Sequence, residues 1–427
     1  MRQVFRVAVY RRLLAAYGLN ELTWGIGTVA LAILVYRRTG SALGATAFFI
    51  CSQFLPALLS PVLVARVAGQ APRRTLPVLY GLEALLFGLL AWMSTEFSLI
   101  PVLAVAAIDG LIALSARVLA RSATVEVLRP LDLLHEGNAG INFAFTGAFM
   151  IGPAVGGAIV AAGGTVAALL VNCGLFAGVT VVLATAVSLP DVNPEEGAGG
   201  SVVQRLRMAA RHAQTDPPTR AILILQAFGM VVGTISIPVE VVFAQHTLHA
   251  GAGGYGAMLS GWGAGAVIGS AAYARWRRRP GRSLITLSAA ALAFGFAVMA
   301  AAPGIAVAVA GSAVGGFGNG VGSVAERTML QEYTPRRWMS LMMSLNESLS
   351  QAVPGLGFVL GGAITALADP RLALAAAAVG SGLFTAGAWI LLSAERIGPL
   401  PDGTAGVTPE PQTERVPSAA GGRETLV

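Results

Sequence analysis

Gly152-Pro153-Ala154-Val155-Gly156-Gly157 decides how the rest of the chain is read. It sits inside an apolar run, Ala144 to Ala162, that is long enough to cross a bilayer. Pro153 removes one amide donor and bends the helix. Gly152 and Gly156 are four residues apart, so they share one helix face. A face without side-chain bulk lets a second helix approach closely and still rock against it. Ordinary membrane packing uses the same spacing, so the motif by itself assigns no function.

The stretch recurs. Gly152 to Ala161 reads GPAVGGAIVA, and Gly357 to Ala366, 205 residues on, reads GFVLGGAITA. Six of the ten positions are identical without a gap. The same shift carries Pro130 onto Pro335, each in a polar loop ahead of its helix. A period near half the chain length implies two halves. Because the shift maps one crossing onto another of the same direction, the halves are expected to be parallel, a known transporter plan.

Composition narrows the class. Hydrophobic residues make up 55% of the 427 and charged residues 11%, against roughly a quarter charged in a soluble domain. The 53 glycines suit closely packed membrane helices. All 28 basic residues are arginine. Without lysine there is no Walker A loop and no Schiff base to retinal or pyridoxal phosphate. No cofactor is expected. Cys51 and Cys173 fall within apolar spans and read as free thiols. His246 and His249 lack further ligands nearby, so no metal site is expected.

Residues 1–12 carry Arg2, Arg6, Arg11 and Arg12 and read as a cytoplasmic N-terminus. Leu13–Tyr36 follows; it is too long for a signal-peptide core and reads as the first span. Five more spans are expected near Leu43–Val67, Thr75–Met93, Ser98–Leu119, Asn138–Ala162 and Val166–Leu189, completing a six-helix bundle over 13–189. Residues 190–220 read as a cytoplasmic linker. Within it Ser201–Ala213 sets Val203, Leu206 and Ala210 against Arg205, Arg207 and Arg211. That pattern suits a short interfacial helix as well as a flexible linker. The second bundle, 221–392, is expected as Ala221–Gln245, Gly253–Ala274, Ser283–Ala302, Gly304–Val324, Ser340–Leu367 and Leu372–Leu392. Residues 393–427, rich in Pro, Gly, Thr and Glu, read as a disordered cytoplasmic tail.

The expected fold is therefore an all-α membrane protein, twelve transmembrane helices in two parallel six-helix repeats. With both termini inside, only Arg37, Arg38 and Arg371 fall outside. The other arginines, including Arg275, Arg277, Arg278, Arg279 and Arg282 in one loop, lie at or near the inner face. This positive-inside bias explains the net charge of +7 as a topology signal, not as nucleic-acid binding. The expected place is a cell inner membrane or plasma membrane.

A charge at membrane depth costs at least ~2.5–3.5 kcal/mol, so it needs a partner or a wet cavity. Glu21, Asp109, Glu240 and Glu347 fall within spans, with Glu83 a fifth. A carboxyl held there is a candidate proton carrier. Glu21 has Asn20 beside it and Glu347 lies near the inner face; Asp109 lies near the middle and Glu240 follows Pro238. Arg117 and Arg121, four apart, are placed to neutralise an acid or bind an anion, or to snorkel to the interface. Trp24, three residues after Glu21, offers a stacking face for a flat substrate or plain packing. Glu126 and Glu326 are placed to pair with Arg73-Arg74 and with Arg277–Arg279, holding the inner side shut, with Glu326 and Arg278 as the pair to test.

Two halves of six spans with Gly152-Pro153-x-x-Gly156-Gly157 in the fifth resemble the major facilitator superfamily. The motif is similar to the antiporter motif of its drug-exporting branches. Thr39-Gly40-Ser41-Ala42-Leu43 and the run Gln53 to Leu59 resemble its macrolide- and siderophore-export types. The resemblance covers roughly residues 10 to 393. It implies alternating access around a site near the midplane. The sequence departs from the family at Val64 and Ala68, where Gly and Asp are expected, although Arg73 and Arg74 remain.

The expected function is secondary active, proton-coupled efflux of a small amphiphilic molecule by a monomer in the lipid bilayer. Glu21 and Asp109 are the first candidates for the proton, with Glu240 next. Gly152, Pro153, Gly156 and Gly157 form the flexible packing face. An importer on the same fold and a non-transporting sensor or scaffold are the rival readings. No nucleophile–base or metal constellation supports an enzyme.

Overall fold

A chain in lipid must satisfy its backbone internally, and among the described residues every regular element is helical. The computed structural model describes residues 3–59, 63, 71–185, 202–335 and 338–393. Val64, Ala68 and the expected tail lie outside the described residues, as does the start of the expected linker.

Helix α1 is Ala8–Thr39, closed by left-handed Gly40, whose amide donates to the Tyr36 carbonyl. Helix α2, Ala42–Phe49, opens with the Ser41 hydroxyl accepting from the Gly44 amide and passes into a π-turn at Ile50–Phe54. Helices α3 (Pro72–Met93) and α4 (Leu99–Leu128) follow. Helix α5 runs Leu134–Ala184 over 51 residues, interrupted at Gly164 (φ 79, ψ 177). That break falls inside the loop expected between Ala162 and Val166. Helix α6, Val202–Thr215, is the amphipathic segment, and Asp216 then caps α7, Pro217–Thr234. Helix α8 (Ser236–Val242) continues into a second π-turn at Phe243–Thr247. The remainder are α9 (Gly251–Trp276), α10 (Gly281–Ala301), α11 (Ile305–Tyr333), α12 (Met339–Ala352), α13 (Pro354–Leu367) and α14 (Pro370–Leu391).

Among the described residues, ten helical runs are long and apolar enough to cross a membrane. Successive helices run back and forth between two ends. The terminal end holds the start of α1, where the Tyr10 hydroxyl donates to the Gly137 carbonyl at 3.0 Å. The far end holds Gly40, Ser94, Gly164 and Ala302. Helices α1 to α5 pack together as a first group, and α7 to α11, α13 and α14 as a second. The two groups meet through α5 on α9 and through α2 on α8 and α13.

The opening motif makes both kinds of contact. A methyl group at Gly156 would stand 2.8 Å from Ile26 Cα, and one at Gly152 would stand 3.0 Å from the Leu22 carbonyl oxygen, both on α1. One at Gly157 would stand 2.7 Å from the Ala252 carbonyl oxygen on α9. Its repeat counterpart Gly362 packs on Thr46 of α2. Both of these crossings lie toward the far end. Arginines tie that end down: Arg37 donates to the Gln245 side chain (3.2 Å), Arg38 to the Ser94 carbonyl (2.9 Å) and Arg371 to the Ala300 carbonyl (2.6 Å).

Candidate transport site

The first group of helices buries a polar cluster. Helix α1 contributes Tyr17 and, one turn on, Glu21; α3 contributes Tyr80 and Glu83; α4 contributes Asp109, Arg117 and Arg121. Glu21 is 2% exposed and Glu83 is fully buried. Arg117 Nε lies 2.7 Å from Glu21 Oε1, an ion pair by distance and not an aligned hydrogen bond. Arg121 donates to the Tyr17 hydroxyl at 2.6 Å and sets its guanidinium 5.3 Å from that ring's centre. Glu83 lies within electrostatic reach of Asp109, Arg117 and Glu21. Both Glu83 carboxyl oxygens and Asp109 Oδ1 have no hydrogen-bond partner. Asp109 and Arg117 line a cavity of about 180 Å³ with Trp24, Ser52, Gln53 and Gln351, the last from α12.

A larger cavity of about 360 Å³ lies between the two groups of helices. Trp24, Phe49, Gln53 and Phe149 line it from the first group; Glu240, Tyr255, Trp262 and Glu326 line it from the second. Trp24 and Gln53 line both cavities and so form the shared wall. Trp24 stacks on Phe149 with ring centres 6.0 Å apart, and both rings line the larger cavity. Pro153 lines the same cavity, so the bend in α5 shapes its wall.

The other expected residues fall elsewhere. Asn20 is buried at 1% exposure, with its amide nitrogen unpartnered. Glu347 is exposed and accepts from the Gln351 side chain at 3.2 Å. Glu126 pairs with Arg129 at 3.9 Å, and Arg73, Arg74 and Arg278 are exposed. In this arrangement Glu326 faces the larger cavity. Sequence reasoning carried Glu83 as a fifth embedded acid, met Gln53 only as the start of the run Gln53 to Leu59, and did not single out Tyr17 or Tyr255. The signal for Tyr17 was its four-residue spacing to Glu21; nothing local marks Tyr255.

A family model described as the Major Facilitator Superfamily matches residues 222–423. The nucleoside transporter NupG shares 14% identity over 90% of this chain and 99% of its own, with a TM-score of 0.71. The fold is that of a major facilitator transporter. A bacterial homolog of the human lysosomal transporter Spinster, inward-facing and unoccupied, gives 0.69 at 12% identity over 90% of this chain and 97% of its own. A bacterial homologue of the iron transporter ferroportin, also inward-facing, gives 0.67 at 12% identity over 89% and 97%. A search of curated protein sequences gave no match. The major facilitator fold and the family match point to a transporter rather than an enzyme, in a multi-pass membrane protein.

Proposed function

We propose that the chain is a secondary active exporter that moves a small amphiphilic molecule by alternating access, driven by proton entry. Twelve crossings follow if the long α5 run is divided at Gly164 and α9 is added to the ten apolar runs. The far end is drawn together by α5 on α9 and by α2 on α13, and the larger cavity lies between the groups they join. With the termini cytoplasmic, as the arginine distribution argues, this is an inward-facing arrangement.

The observation that carries the reading is a buried cluster of three carboxyls: Glu21 paired with Arg117, Glu83 within electrostatic reach of both, and Asp109 within reach of Glu83, beside a wall shared with the larger cavity. Three carboxyls face two guanidiniums, Arg117 paired with Glu21 and Arg121 bonded to the Tyr17 hydroxyl, so full ionisation leaves an excess negative charge in a buried site, which is costly. The group therefore holds protons in at least one state of the cycle. Movement of α1, which carries both Glu21 and Trp24, links that protonation to the shape of the substrate cavity.

The test uses the purified protein in sealed vesicles with an imposed pH gradient. Transport of an amphiphilic dye that follows the gradient in one orientation, and that Asp109→Asn or Glu21→Gln abolishes, supports the proposal. Movement unaffected by the gradient or by these substitutions defeats the proton coupling. Accumulation in the reverse orientation makes the chain an importer.

A further inference from the structure

The larger cavity is chemically one-sided. Its first-group lining, including Trp24, Phe49, Gln53 and Phe149, carries no ionisable side chain; Glu240, Tyr255, Glu326 and Arg327 all come from the second group. The ionisable residues also separate by depth. Glu240 stands seven residues before Thr247, the end of its run, so it is ~10 Å from the far end at the helical rise. Tyr255 is four residues into α9 and lies at a similar depth, ~6 Å from that end. Glu326 is 21 residues beyond Ile305, ~30 Å away from the same end. There it has Arg327 beside it as a lining residue of opposite charge.

The closed end of the cavity thus holds one carboxyl and no lining cation. Glu240 is 3% exposed, and its recorded neighbours are the Ser236 hydroxyl and Tyr255. The Tyr255 hydroxyl is fully buried, lines the cavity and has no hydrogen-bond partner. A lone buried carboxylate is costly until a cation reaches it. Around the pair stand broad apolar faces. Trp24 is stacked on Phe149, and Trp262 is stacked on Phe296 at 5.8 Å. Such ring faces favour an aromatic body and tolerate a neighbouring positive charge. One carboxylate and one phenol give too few ligands for a divalent ion, since Ca²⁺ and Mg²⁺ take six or more oxygens and Zn²⁺ takes four ligands, mostly His and Cys.

Resting on the transport reading above, we infer that the cavity's closed end recognises an organic cation. Its ammonium or guanidinium head meets Glu240 and the Tyr255 hydroxyl, and its flat apolar body lies between Trp24 and Trp262. Glu240 is then a substrate-recognising residue, distinct in role from the carboxyls around Arg117.

Three probes with one ring body test this on the full-length protein in detergent: naphthylmethylamine, naphthylmethanol and naphthoate. Equilibrium binding is read by tryptophan fluorescence. The amine should bind about tenfold or more tighter than the alcohol, the worth of one modest charge contact, with the carboxylate weakest. Glu240→Gln should erase the amine preference and leave alcohol binding in place, which also reports a folded cavity. Glu240→Asp should restore part of the preference, and Glu347→Gln, at an exposed residue outside the cavity's lining, should keep it. Alcohol or naphthoate binding as tightly as the amine in the native protein overturns the inference whatever the variants do, and so does a preference that survives Glu240→Gln. Gradient-driven vesicle transport of a neutral or anionic compound alone would sink the cation inference and leave the transporter. Lack of gradient-driven movement for all three probes, with the amine preference intact, would sink the coupling and leave the cation site.

Discussion

Arg117 Nε stands 2.7 Å from Glu21 Oε1, joining α4 to α1 inside the first group of helices. Glu21 is 2% exposed and Arg117 reaches it from the wall of the smaller cavity, so the guanidinium is the counter-charge of a carboxyl that is itself removed from water. Glu83 lies close enough to compete for the same cation, and Asp109 lies within electrostatic reach of Glu83. Any change in the protonation of one carboxyl alters the hold of Arg117 on the others.

Arg117→Leu leaves Glu21 buried and unpaired. A loss of ~3–5 kcal/mol is expected for breaking such a pair, read as a lower thermal unfolding midpoint in detergent. Adding Glu21→Gln should recover most of the loss, because the stranded charge is gone. A double variant no more stable than Arg117→Leu would show that the ion pair is not what holds α4 to α1.

Asp109→Asn and Glu83→Gln should separate coupling from binding. Each removes a site for the proton while leaving the larger cavity's lining unchanged, since neither residue lines it. Gradient-driven accumulation should fall roughly tenfold or more, the worth of ~1.4 kcal/mol, while exchange of substrate down its own gradient persists. Glu347→Gln changes an exposed side chain and should leave both rates near native. A loss of exchange in Asp109→Asn would move that residue from coupling to binding.

Gly157→Val should prevent the far end from closing. A methyl at this position already stands 2.7 Å from the Ala252 carbonyl oxygen, which is backbone and cannot step aside. The bulk forces α5 and α9 apart, so an introduced cysteine at Leu259 should gain reactivity toward a thiol reagent from the far side. Transport should drop by at least about tenfold. Gly147→Val, where nothing lies within 4 Å, is the matched control and should transport normally.

The helices were legible because lipid imposes a length and an apolar composition that the sequence displays openly. The break at Gly164 was legible from the paired glycines at 163 and 164 and from the length of the run. Depth in the membrane also followed, which is why Glu21 and Asp109 were singled out. Facing did not follow. Glu83 was left open between a proton carrier and a structural ion pair near the inner face, because its position along α3 says nothing about Asp109 on the neighbouring helix. Glu326 was read as a gate partner of Arg278 when the inner side is shut; that it also lines the larger cavity depends on how α11 faces, which the sequence does not display. Tyr255 carries no charge and no motif, and the run that Gln53 opens does not say which way that side chain faces, so only the packing of α2, α9 and α13 gives them a place at the wall.

Gly164→Ala should weaken the turn that divides α5. The residue has φ 79 and ψ 177, a conformation in which a Cβ is strained whatever the surrounding space. No atom lies within 4 Å of an added methyl, so any loss is backbone strain and not a clash. About 1–3 kcal/mol is expected, seen as a lower unfolding midpoint. Gly178→Ala makes the comparison sharp: it too has open space around it, but it sits in a regular part of α5. There alanine adds helix propensity worth up to ~1 kcal/mol, so the midpoint should hold or rise. Equal behaviour of the two variants would mean that Gly164 can adopt an ordinary helical geometry, and α5 would then continue as one rod past the far end.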